Sequence, residues 1–220
     1  MGAVLYPLFT FFYLILFLWG LRSFRESSFW GTSWLLFIMV AFIYDNLILT
    51  IGQWIGKGDT LEVLSLLRYL LKVFLTPTFV FIAWDILRRL HVEWAEYLST
   101  RLIFNFYTFG VTIIGVYTEI LWITLEPYQQ FGVLQYLPHN HHVSFAIFLT
   151  IIPLLISGIF LWLKNQWPIL MLGTLCALIL GVVALMVQIS LLAAVSEFFI
   201  ITSLVLTELK LRNEDFYLSN

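Results

Sequence analysis

Apolar runs of about 20 residues recur seven times along this chain, and a run of that length crosses the roughly 30 Å of a bilayer's hydrocarbon core as a helix. They cover about residues 3–20, 34–54, 63–87, 102–125, 143–163, 168–187 and 191–209. In lipid every backbone N–H and C=O must find a partner within the protein, so only helices or a closed barrel can cross. The runs are continuous rather than alternating, which excludes a barrel. The last two adjoin in one stretch, interrupted only at Gln188-Ile189-Ser190, where a tight turn is expected. The fold class that follows is all-α: a polytopic membrane protein, a bundle of seven transmembrane helices forming a single transmembrane domain over 1–220. The polar inventory agrees. Charged residues are 11% of the chain, against about 25% in a soluble domain.

The basic residues orient the bundle. Arg22, Arg25, Arg88, Arg89, Arg101, Lys164, Lys210 and Arg212 all follow odd-numbered spans, and the opposite loops carry only Lys57. The positive-inside bias then puts the N-terminus outside and the C-terminus in the cytoplasm. All nine tryptophans fall at or near a span end, the belt expected of an apolar ring with a polar N–H. The first run lacks a basic leader and a small-residue cleavage site, so it reads as a retained helix. Two connections are longer than the rest. Arg88 to Arg101 is expected to lie on the membrane surface or extend span three. Pro127 to His142 is expected to lie in the interface or fold over the bundle.

Five ionisable side chains fall well inside the spans: Asp45, Arg68, Lys72, Glu119 and Glu197. Each costs about 2.5–3.5 kcal/mol at mid-bilayer if left alone, so they must pair, lose their charge or line a watery cavity. Asp45 lies nine residues before Trp54, and Lys72 lies nine residues after Val63. The two therefore share a depth, and Arg68 stands one turn from Lys72 on the same face. Three acids against two bases leave one acid without a basic partner. The expected site is a polar pocket in the outer half of the bilayer, walled by spans two, three, four and seven. Its ligand-binding residues would be Asp45, Asn46, Arg68, Lys72, Glu119 and Glu197. Asp85 and Glu208 read instead as interfacial acids, paired with Arg88 or Arg89 and with Lys210.

Other chemistry is sparse. A single cysteine, Cys176, allows no intrachain disulfide. His139, His141 and His142 are weak metal candidates, with Glu126 as a further ligand; a solvated loop is the plainer reading. There is no GxSxG elbow, HExxH, phosphate-binding loop or kinase set. Span seven lacks the mid-helix lysine a retinal Schiff base needs, no Pro-Gln pair occurs, and no histidine lies inside a span. No pattern names a cofactor. With a net charge of −2 and no basic block, nucleic acid is not an expected partner; the lipid bilayer is. The expected function is transport or binding of a small anionic solute in the plasma membrane of a bacterium. The alternatives are a membrane-embedded enzyme meeting a lipid or isoprenoid headgroup at the same cations, and a non-catalytic subunit or sensor. Oligomeric state is left open.

Overall fold

The computed structural model of the protein describes residues 2–24, 30–139 and 145–219; Arg25, His141 and His142 lie outside them. Among the described residues, eight α-helices form the bundle. They are α1 (Gly2–Phe24), α2 (Trp30–Ile55), α3 (Asp59–Leu75), α4 (Phe79–Arg89), α5 (Leu98–Gly115), α6 (Phe145–Asn165), α7 (Ile169–Val187) and α8 (Ser190–Ser219). Seven stretches are long and apolar enough to cross a membrane, with α3 and α4 sharing Asp59–Arg89.

The split in the third span has a local cause. Pro77 has no N–H to give the Val73 carbonyl one turn back. The chain tightens into a 3₁₀ turn, Thr76–Thr78, and the Thr78 hydroxyl donates to the Leu75 carbonyl at 2.6 Å. Pro153 creates the same problem in α6 by leaving the Leu149 carbonyl without its helical donor. Here the solution comes from a neighbour: the Tyr107 hydroxyl of α5 donates to Leu149 O at 2.8 Å. Tyr107→Phe is therefore expected to cost about 0.6–2 kcal/mol. On a Pro153→Ala background the loss should shrink, because a backbone N–H returns to satisfy that carbonyl. Unfolding of the four proteins in detergent measures the difference; equal losses on both backgrounds would sink the assignment.

Helix α2 is the hub, packing against α1, α3, α4, α8 and the second strand of a hairpin described below. Leu35, Ile38, Met39, Leu154, Leu170 and Ile201 are fully buried at the centre. Gly173 lets α7 sit directly on Ser203 of α8, and Gly158 lies against the Met171 backbone. In contrast, Gly110 faces open space and is no packing point. The turn between the last two spans is present: Gln188 adopts a left-handed conformation and Ile189 N–H reaches back to Ala184 O at 3.2 Å.

The fourth span ends earlier than its apolar run suggests. After α5 the helix widens into a π turn, Val116–Ile120, and the next residues leave the helix altogether. They feed a two-stranded antiparallel hairpin, β1 (Leu125–Gln130) and β2 (Val133–Pro138). Its loop is Phe131-Gly132, both at positive φ (50° and 78°), as a type I′ turn requires. A bulky residue rarely holds that conformation, so the turn is fixed by what its strands touch. Val133 to Tyr136 are buried against the bundle end where α1 begins; most of β1 is exposed. The connection Arg88–Arg101 is a short 3₁₀ turn, Glu93–Glu96, pinned by Trp84 Nε1 donating to Ala95 O at 3.0 Å.

Candidate functional site

Depth matching brings α2 and α3 together as the charges require. Asp45 is buried, with its side chain 3% exposed, and lies about 15 Å along α2 from its hairpin end. Arg68 Nε stands 3.0 Å from Asp45 Oδ1, and Lys72 Nζ stands 3.1 Å from Asp45 Oδ2. One helical turn separates the two bases, so one carboxylate can face both. From α8, Glu197 Oε1 meets Lys72 Nζ at 2.8 Å. The result is a chain of four charges, Arg68–Asp45–Lys72–Glu197, with two of each sign.

Burial is uneven along this chain. Asp45 and Arg68 are 3% and 5% exposed at the side chain, whereas Lys72 and Glu197 are 27% and 20% exposed. One half is sealed within protein and the other is partly exposed. The Tyr13 ring stacks on Phe42 at 5.9 Å and meets Phe198 edge-on at 5.6 Å. Phe42 also lies 5.9 Å from Lys72 Nζ. Among the described residues, the buried Tyr13 hydroxyl, Glu197 Oε2, Asn46 Oδ1 and Ser65 Oγ make no hydrogen bond.

The hairpin reaches the sealed half. Arg68 Nη2 donates to the Tyr69 hydroxyl at 3.1 Å, which donates to the Tyr136 carbonyl at 3.2 Å. Tyr136 OH accepts from Gly58 N–H at 3.2 Å. Gly52 lies directly under the Leu134 carbonyl, where no side chain fits. Gln135 donates to Ser190 Oγ at 3.1 Å, and the Tyr6 hydroxyl lies 3.0 Å from the same oxygen.

Of the residues expected from sequence, Asp45, Arg68, Lys72 and Glu197 come together. Asn46 is buried beside Asp45, but its amide turns back to the Phe42 carbonyl at 2.9 Å. Glu119 lies half-buried on the π turn, which packs against α3, and the four-charge chain forms without it. Tyr6, Tyr13, Ser65, Tyr69 and Gln135 were not anticipated there; nothing in an apolar helix or an external loop marks them. His139 pairs with Glu126, Nδ1 to Oε1 at 2.9 Å, and no group of three metal-type ligands occurs among the described residues.

A second buried network lies at the opposite end. Arg89 of α4 forks onto Glu208 of α8, Nη1 to Oε2 at 2.9 Å and Nη2 to Oε1 at 2.8 Å. The Thr32 hydroxyl of α2 donates to Glu208 Oε1 at 2.6 Å, and Asp85 Oδ2 stands 3.4 Å from Arg89 Nε. Glu208 is thus a buried partner of Arg89 rather than an interfacial acid, and the Lys210 ammonium lies 5.8 Å from the Trp167 ring centre.

Seven apolar helices and two buried charge networks define a multi-pass integral membrane protein. No family model and no curated protein matches the sequence, and no solved structure matches the fold.

Proposed function

We propose that this chain is a small transporter or solute-binding protein of a bacterial plasma membrane, with its N-terminus and hairpin outside. Its ligand is a small anionic solute, met by Lys72 and Arg68. The observation that carries this reading is the position of Lys72. Its ammonium is shared between two carboxylates at 3.1 and 2.8 Å in the partly exposed half of an otherwise sealed cluster. The four charges already cancel. An anion entering beside Lys72 would leave a net negative charge in a low-dielectric site, which is costly. A proton or cation taken up with the anion removes that cost, and Glu197, partly exposed beside Lys72, is its acceptor. Intramembrane carboxylates serve proton relays in this way.

The test uses purified protein and a panel of inorganic phosphate, sulfate and short mono- and dicarboxylates. One of them is expected to raise the unfolding temperature of the wild type and not of Lys72→Met. In liposomes loaded with a pH-sensitive dye, an inward gradient of that anion should acidify the interior, and Glu197→Gln should abolish the pH change. A Lys72→Met protein that binds and transports normally would overturn the assignment. The exact charge balance of the cluster favours a second reading, a non-catalytic subunit held in register by its ion pairs. No response to any anion, with a loss of stability in Lys72→Met, would put that reading first.

A further inference from the structure

Where α4 hands over to α5, a surface cleft of about 170 Å³ is lined by Trp84, Arg88, Glu96, Tyr97, Leu98 and Arg101. We propose that this cleft binds the phosphodiester headgroup of an anionic phospholipid.

Three observations carry the proposal. The first is charge. Arg88 and Arg101 come from two different helices, both are exposed, and among the described residues neither has a carboxylate within ion-pair distance. Glu96, the acid of the cleft, lies 3.6 Å from His91 Nδ1. Two guanidiniums around one opening match a phosphate, which accepts their forked N–H groups.

The second is geometry. The Arg88 guanidinium lies 4.9 Å from the Trp84 ring centre, and Trp84 is itself held by its bond to Ala95 O. Stacking on an aromatic face limits the guanidinium's freedom while its edge N–H groups stay available. The cleft also lies among tryptophans. Trp30 packs on Trp84 at 5.7 Å and on Trp34 at 6.2 Å, and Trp94 is exposed on the adjoining turn. Such a belt marks headgroup depth.

The third is continuity with an apolar track. Leu98, at the cleft, begins an exposed stripe on α5 through Leu102, Phe106, Phe109 and Ile113. These positions recur at helical spacing on one face. A phosphate in the cleft would send its acyl chains down this stripe. A free phosphate ion has no use for such a stripe, so the lipid is the occupant the surface favours.

The probes are dioleoyl phosphatidylglycerol, dioleoyl phosphatidylcholine and inorganic phosphate. Native mass spectrometry of the full chain would count bound lipid for the wild type, Arg88→Gln/Arg101→Gln, and Lys57→Gln as a control at the other end. Each basic residue near an anionic surface accounts for about a fivefold change in affinity, so the double variant should hold phosphatidylglycerol about 30-fold more weakly. Lys57→Gln should bind as the wild type does. Both arginines are exposed, and matched unfolding curves in lipid-free detergent would show that the variants fold; Arg101→Gln alone, which spares the Trp84 stack, should give the intermediate loss. Equal binding by wild type and double variant would overturn the proposal. So would equal retention of phosphatidylcholine. Displacement of the lipid by millimolar inorganic phosphate would identify a soluble anion as the occupant and overturn it as well.

Discussion

Asp45→Leu is expected to destabilise the protein by about 3–5 kcal/mol, the loss typical of removing one partner from a buried ion pair. Arg68 explains the size. Its side chain is 5% exposed and its ion pair is with Asp45. A guanidinium cannot shed its charge, so the variant must carry an uncompensated cation in the bundle. Lys72→Met should cost distinctly less. It leaves the Arg68–Asp45 pair intact and strands only Glu197, which is 20% exposed and can take up a proton. Asp45→Leu/Arg68→Leu should recover much of the stability lost by Asp45→Leu, because it removes both charges. Unfolding of the four proteins in one detergent gives the order. If Asp45→Leu loses no more than Lys72→Met, the cluster is not divided into a sealed half and a partly exposed half, and the proposed solute site loses its basis.

How much of this was legible follows from what a sequence encodes in lipid. Depth is readable by counting, because each helix must start and stop at the interfaces. Counting put Asp45 level with Lys72, and they lie 3.1 Å apart. Which face a helix turns to which neighbour is not readable in that way. Apolar residues satisfy lipid and protein core alike, so the flanks of α1 gave no sign that Tyr13 is buried and Trp19 exposed. The π turn that carries Glu119 was likewise unmarked in an apolar run that read as continuous helix. Seven spans could be counted because hydropathy reports them. The hairpin could not, because its signal was only Gly132 within a mixed segment, and its buried strand VLQYLP carries Gln135 inward. Glu208 was misassigned because sequence neighbours are visible and partners 119 residues away are not.

The Arg89–Glu208 clasp should carry the second large effect, and its form separates two accounts of what it does. Arg89→Met is expected to cost about 3–5 kcal/mol, since it leaves Glu208 and Asp85 buried without their shared cation. Thr32→Val removes a hydroxyl that donates to Glu208 and accepts from Arg89, and should cost about 1–3 kcal/mol. Arg89→Met/Glu208→Leu should be much less damaging than the sum of its single changes, with a coupling of about 0.5–3 kcal/mol or more for residues in direct contact. Asp85 sets a floor on the recovery. Its carboxylate is buried against Gly31 in the first turn of α2 and loses its Arg89 partner in the double variant as well. The geometry of α8 gives the clasp its wider meaning. Glu197 and Glu208 stand eleven residues apart on one helix, about 16 Å along its axis. The same three elements, α2, the third span and α8, are thus tied at two levels, and Pro77 breaks the third span between them. A clasp that only adds stability predicts that Arg89→Met/Glu208→Leu binds anion like the wild type once folded. A clasp that holds the far end shut while the Lys72 end is open predicts a folded double variant with altered anion affinity. Melting curves of that variant with and without the anion distinguish them, and additive losses in the double-mutant cycle would exclude both.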